Sequence, residues 1–369
     1  MLATTETQLE INLNALAHNY RYLASRLQPD TRMMAVVKAF GYGSDAIAIA
    51  KELVDLGVAY FAVAYAKEGV ALRDAGIQTP ILVLHPLPSS FEVIIERCLE
   101  PALYSTEMIS SFIAFAEEKK QQSYPVHLKF NTGLNRLGCS TDDIEKIIKE
   151  LTATESVKAR SLFSHLAASE DFSEHDFTKG QLNSFRAISE RMTSLLGYQP
   201  LLHILNTSGI LNYREAQYDM VRTGIGLYGF GNSEEENQHL QPVATLKTVV
   251  SQIHQIEPGT SVGYNRAHKA KSTMRTATLP IGHADGISRA YGNGKGWVTI
   301  HGQKAPIVGN VCMDMIMVDV TYIDCKSGDE VVVFGEDSTA ENLAESVQSI
   351  SYELLTAISQ RVKRVVSRK

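Results

Sequence analysis

Residues 33–43 read MMAVVKAFGYG. An apolar run with β-branched Val36 and Val37 stops at Lys38, and Gly41, Tyr42 and Gly43 follow within five residues. That is the pattern of a buried strand delivering one cation to a glycine-rich turn. An unpaired ammonium is expensive to bury, so Lys38 must find a partner, reach solvent or lose its proton. A Schiff base with an aldehyde is one chemical outcome, and a stem that snorkels to water is the other. The rest of the chain has to choose between them.

Upstream, apolar residues at helical spacing over about 14–27 lead into this strand. Downstream the pattern repeats. Strand-like runs stand at 60–63, 80–84, 101–104, 126–130, 159–164, 202–205 and 220–221, with helical stretches at 66–74, 91–97, 107–118, 142–151 and 176–196 between them. With 33–37 this makes eight strands alternating with helices over roughly 220 residues, the size and rhythm of a (β/α)8 barrel of TIM type. In such barrels the chemistry sits at the C-terminal ends of the strands. Lys38, Arg136, His165, Asn206 to Ser208, Arg222 and Gly224 all fall there. One polar residue after one strand is routine, whereas several converging on one rim make a site.

After Phe230 the character changes. GNSEEENQHL reads as an acidic, solvated linker, and alternating β-type sequence follows at 245–256, 276–281, 297–300, 315–320 and 330–334, with short helical pieces near 340–347 and 352–358. The expected division is a barrel over 12–234 and a mostly β domain over 235–369. The N-terminal 1–11 joins that domain, because Gln8 to Asn12 also alternates. A chain of 369 residues exceeds the usual limit of one core, which agrees with two domains.

Composition narrows the partners. A net charge of -6 leaves no basic face for nucleic acid or an anionic membrane. Cys98, Cys139, Cys312 and Cys325 show no metal or CxxC spacing, so reduced thiols, no metal and a cytoplasmic location are expected. The start MLATTETQLEIN carries no signal pattern, and no apolar run is long enough to span a bilayer. The glycine-rich YGNGKGW at 291–297 does not join a strand to a helix, so it reads as a loop of the β domain and not as a phosphate cradle.

Several motifs, in order, resemble the alanine racemase family: AVVKAFGYG, HLKFNTGLNRLG, FSHLA, HILNTSG, MVRTGIGLYG, SVGYN, NVCMDMIMVDV and SYELLTAISQRV. The resemblance covers the whole chain. It implies a pyridoxal 5'-phosphate enzyme that interconverts L- and D-alanine, supplies D-alanine for peptidoglycan and works as a homodimer with shared active sites. It gives Lys38 as the cofactor lysine and one base, and Tyr264, entering from the other subunit, as the second base. Tyr42, Asn206, Thr207, Ser208, Gly224, Ile225 and Tyr352 would serve the cofactor's phosphate side. Arg136 would contact the phenolic oxygen and, with Met313, the substrate; Lys129 would be open to carbamylation. His165, bonded to Arg222, would polarise the tyrosine.

The chemistry explains the choice of Arg222. A guanidinium stays protonated and can only donate to a ring nitrogen, which keeps the pyridine neutral and the carbanion short-lived. A same-fold amino-acid decarboxylase places a carboxylate there. A non-catalytic cofactor carrier has no use for the β domain. A serine or broad-specificity racemase stays open, because the side-chain pocket is not readable from sequence. This chain departs from the family at Phe40, Gly41, Ser44, Asn131 and Thr223, and near the substrate entrance at His283 and Asn310.

Overall fold

The computed structural model describes residues 6–368, so the first five residues of the expected 1–11 strand and Lys369 lie outside the described residues. Eight strands, Arg32–Val36, Tyr60–Val63, Ile81–Val83, Glu100–Leu103, Tyr124–Lys129, Val157–Phe163, Leu201–His203 and Met220–Thr223, lie side by side in chain order. All the pairings are parallel, and Met220–Thr223 returns to pair with the first strand, Arg32 opposite Met220. The one seam without a ladder is spanned where Arg222 N–H donates to Leu205 O at 3.0 Å and Leu202 N–H to the Asp219 carboxylate at 2.8 Å. The result is a nearly closed barrel wrapped in helices.

The strands are buried on both faces, as Tyr60–Val63 and Met220–Thr223 are along their full length. Helices cover the outside, so both faces of each strand must be apolar or internally bonded. Caps fix where the helices begin. Asn12 accepts from Asn14 and Ala15 N–H, Asp45 from Ile47 and Ala48 N–H, and Ser105 from Met108 N–H.

The second layer is a nine-stranded sheet, built mostly from the chain after residue 243. Gln8–Asn12 is inserted into it, antiparallel to Ala244–Val249 and parallel to Lys363–Ser367. The run expected over 245–256 is two strands, Ala244–Val249 and Gln252–Ile256, because Val250 bonds both ways to the 328–329 turn and the chain then leaves to pair with Met274–Leu279. Gln303–Val308 and Lys363–Ser367 were not apparent in the pattern. Pro306, which has no N–H to give, masks the first, although it pairs opposite Trp297. Residues 292–296 form a loop ahead of the strand Trp297–Ile300.

The acidic linker is corrected by the structure. Ser233 caps a short helix, Glu234–Asn237, and Glu236 is buried at 6% exposure. Its carboxylate accepts from Asn232 N–H at 2.7 Å, Ser208 Oγ at 3.2 Å and Asn212 Nδ2 at 3.2 Å, and burial raises its pKa. Charge runs are usually solvated, and Glu234 and Glu235 are exposed here, but three hydrogen-bonding neighbours made Glu236 a peg. Among the described residues no helix is long and apolar enough to cross a membrane.

Candidate active site

Lys38 leaves the strand Arg32–Val36 and the backbone then turns the wrong way. Ala39, Phe40, Gly41, Tyr42 and Gly43 have φ values of 53, 57, 65, 51 and 78°. A left-handed turn costs L-residues about 1–2 kcal/mol each, so it persists only where its surroundings hold it. Two clamps do so. Glu68 accepts from Ala39 N–H at 2.7 Å with one oxygen, and from Ala64 N–H at 2.7 Å with the other. From the β domain, Arg364 donates to Gly43 O at 2.8 Å. A side chain at Gly43 would place its Cβ 1.9 Å from Leu355 O, so only glycine fits there.

This turn holds Lys38 at the mouth of a cavity of about 710 Å3. Among the described residues four cationic side chains line it, Lys38, Lys129, Arg136 and Arg222, and not one carboxylate does. Such a wall calls for an anionic guest. Burial lowers the Lys38 pKa, the nearby Arg136 charge lowers it further, and Glu68 opposes both. Burial, with Arg136, Arg222 and Lys38 around it, pushes Lys129 down to about 8.

Arg222 lies on the cavity floor at 4% exposure. Nη1 donates to His203 Nδ1 at 2.7 Å and to His203 O at 3.2 Å, while Nη2 donates to Ser164 O at 2.6 Å, Ile204 O at 3.0 Å and His165 Nδ1 at 3.1 Å. These bonds occupy the two terminal nitrogens and leave Nε–H uncommitted to them. Burial brings Arg222 down to about 9, still protonated at neutral pH. Burial, then the Arg222 charge, holds both His165 and His203 neutral.

At the opposite wall Gly224 passes so close to Tyr42 that a Cβ there would lie 2.2 Å from the phenolic oxygen. Tyr42 stacks on Tyr228 and tilts against Tyr352, and burial raises all three phenols. Ile225, Thr207, Asn206 and Tyr352 complete this end. Asn206 points elsewhere with its oxygen, capping Gly209 N–H at 2.9 Å and accepting from Ser169 Oγ at 2.7 Å. Ser208 lies behind the wall, donating to Glu236, so Thr207 is the hydroxyl that reaches the cavity. Thr223 backs it at 3.3 Å.

Tyr264 and Met313 are not part of this cavity. Both are exposed, at 71% and 59%, and together they line a separate shallow pocket on the β domain. Asn310 steadies that loop by donating to Tyr264 O at 3.1 Å, while His283 is exposed. Sequence reasoning passed over Glu68, Asn232, His203, Ser161 and His127. His127 and His203 sit inside strands, two residues before Lys129 and three before Asn206, and a polar residue at a lumen-facing strand position was the signal available.

Residues 11–231 match the profile described as "Alanine racemase, N-terminal domain" and residues 243–366 the one described as "Alanine racemase, C-terminal domain". The alanine racemase of Halothermothrix orenii is 36% identical, with 99% of this chain and 98% of that protein covered. The crystal structure of alanine racemase from D-cycloserine-producing Streptomyces lavendulae gives a TM-score of 0.93 at 30% identity, covering 99% of this chain and 98% of that one. The alanine racemase of Bartonella henselae, solved with covalently bound pyridoxal phosphate, gives 0.88 at 31% identity, covering 98% and 100%.

Proposed function

The chain belongs to the alanine racemase family, and from that premise we propose that Lys38 and Tyr264 are the two proton carriers of an enzyme whose active sites are shared between two subunits. It interconverts L-alanine and D-alanine, with pyridoxal phosphate as cofactor. The cavity suits that dianionic group. Its wall is cationic without a carboxylate, and the Gly224 backbone makes room that a side chain would fill. The Tyr42 and Thr207 hydroxyls and the backbone at Gly224 and Ile225 would hold the phosphate, Lys38 Nζ the aldehyde carbon, and Arg136 the phenolic oxygen.

When bound, the cofactor accepts the electron pair left at Cα. The chain's own groups do the rest. Arg222 Nε–H would donate to the ring nitrogen and, being a donor only, would keep it unprotonated. Lys38 Nζ, its pKa lowered by burial, takes or returns the proton on one face of the substrate. The partner subunit's Tyr264 would serve the other face through its phenolic oxygen. His165 accepts from Arg222 at Nδ1, so its proton is on Nε2, free to donate to that oxygen and ease its ionisation. The exposure of Tyr264 and Met313, apart from the cavity, supports their use in a neighbouring subunit's site. Met313 and Arg136 would then border the substrate. In this reading the D-alanine is made in the cytoplasm for peptidoglycan, and Lys129 carries a carbamate beside Arg136.

The observation that carries the proposal is the cation-lined cavity with Lys38 at its mouth. Purified protein is expected to convert L-alanine to D-alanine by chiral chromatography, ahead of serine and other L-amino acids. Borohydride should fix the cofactor to Lys38 alone. Recovery of the reduced cofactor on another lysine would overturn the assignment.

A further inference from the structure

Beneath Arg222 a file of buried polar groups runs down the barrel lumen. His203 Nε2 is 2.9 Å from Ser161 Oγ, Ser161 Oγ is 2.5 Å from His127 Nδ1, and His127 Nε2 is 2.6 Å from a Glu100 oxygen. His203, Ser161 and His127 are fully buried. Glu100 begins the strand Glu100–Leu103 at the N-terminal floor of the barrel, where it also accepts from Tyr60 Oη at 3.1 Å, and Tyr60 in turn accepts from Arg160 Nε at 3.3 Å. Polar atoms in a lumen that leucine and valine could fill have to be accounted for.

The direction of every bond follows from its two ends. Arg222 can only donate, so His203 accepts at Nδ1 and carries its proton on Nε2. Ser161 then accepts from His203 and donates to His127 Nδ1, which puts the His127 proton on Nε2, facing Glu100. An ionised carboxylate can only accept, so the other end demands the same order. With a donor-only cation at the top and an acceptor-only anion at the bottom, one arrangement of three protons satisfies all four bonds.

We propose that Glu100 is a positioning residue for the reaction: its negative charge, passed through His127, Ser161 and His203, fixes the His203 tautomer and so holds the Arg222 guanidinium in one orientation beneath the cofactor ring. Arg222 alone does not hold the order, because His203 O, Ser164 O, Ile204 O and His165 Nδ1 also accept from its terminal nitrogens, so without Glu100 the file can reverse. His203 with its proton on Nδ1 would face the guanidinium donor to donor, and Arg222 would have to turn away.

This deepens the reading of Arg222 given above, but its test needs neither cofactor nor turnover. Nitrogen NMR of 15N-histidine apoprotein at neutral pH is expected to show His203 and His127 each with a protonated Nε2 and a bare Nδ1. Glu100→Gln should give His203 a mixture of tautomers, because a glutamine amide can accept or donate at that end. Ser161→Ala cuts the file in its middle: His127, still beside Glu100, keeps its tautomer, while His203 loses its single one. In holoenzyme, kcat for Glu100→Gln is expected to fall about 10- to 100-fold with KM little changed, as for outer partners of other cofactor sites. A wild-type His203 protonated at Nδ1, or a His203 tautomer unmoved by both substitutions, overturns the proposal. Failure of racemisation with the tautomers as expected would instead strike at the reading of Arg222.

Discussion

At Lys129 two lysines and two arginines share one cavity, and the repulsion has a measurable consequence. Its amine, buried and brought down to about 8, loses its proton in the folded protein while the unfolded chain keeps one up to about 10.4. Between those values the unfolded state binds more protons, so stability rises with pH. Lys38, lowered in the same sense, adds to the effect. In buffer free of carbon dioxide, where Lys129 is a free amine, apoprotein stability followed by denaturant unfolding is expected to increase from about pH 8 to about pH 10 by up to ~3 kcal/mol for Lys129. Lys129→Met should remove its share, and a curve of unchanged slope would show that Lys129 is not buried as a cation. The same neutral amine is the form able to take up carbon dioxide. Lys38 was legible in the sequence because it stands just beyond a strand, whereas Lys129, the last residue of Tyr124–Lys129, was legible only through the family motif around it. Glu100, His127, Ser161 and His203 were not, because inside a strand a lumen-facing polar residue looks like any other alternation.

Among the elements, the left-handed turn after Lys38 is one that sequence could not reveal. Glycines at 41 and 43 announced a turn, but Ala39, Phe40 and Tyr42 share the same hand, and nothing in their side chains asks for it. What holds it is distant in the chain: Glu68 on one side, Arg364 and Leu355 on the other. Gly43→Ala should therefore cost more than ~2 kcal/mol, from a backbone clash on top of the unfavourable φ, and Glu68→Gln less, since its one amide oxygen can still accept from Ala64 and Tyr65 N–H. In both, thermal unfolding should be accompanied by loss of cofactor from Lys38; a Gly43→Ala protein as stable as wild type would mean the turn is not clamped. The remaining elements were read well where periodicity was strong, as at Ala66–Asp74, Trp297–Ile300 and Glu330–Phe334. Reading failed where a proline interrupted a strand at Pro306, and where polar neighbours buried one member of a charge run, Glu236.

For the whole molecule, Lys38 and Tyr264 stand on different domains and line different pockets of one subunit. If the active sites are shared between two subunits as proposed, Lys38→Ala and Tyr264→Phe homodimers should each be strongly impaired. In a mixed dimer one shared site inherits both defects and the other is whole, so random exchange of subunits should restore about one quarter of wild-type activity in an isologous pair. If both bases came from one chain, verified exchange would restore nothing. A different consequence comes from the strand Gln8–Asn12, which lies between Ala244–Val249 and Lys363–Ser367. Its outer neighbour is synthesised about 350 residues after it. At about 5–20 residues per second the nascent chain waits roughly 20 to 70 s between the two. The barrel has all its strands long before then, but throughout that interval the first strand carries an open edge that any other chain could pair with. Only synthesis of Lys363–Ser367 closes it, so the sheet matures late, and a chaperone would have most to protect at Gln8–Asn12.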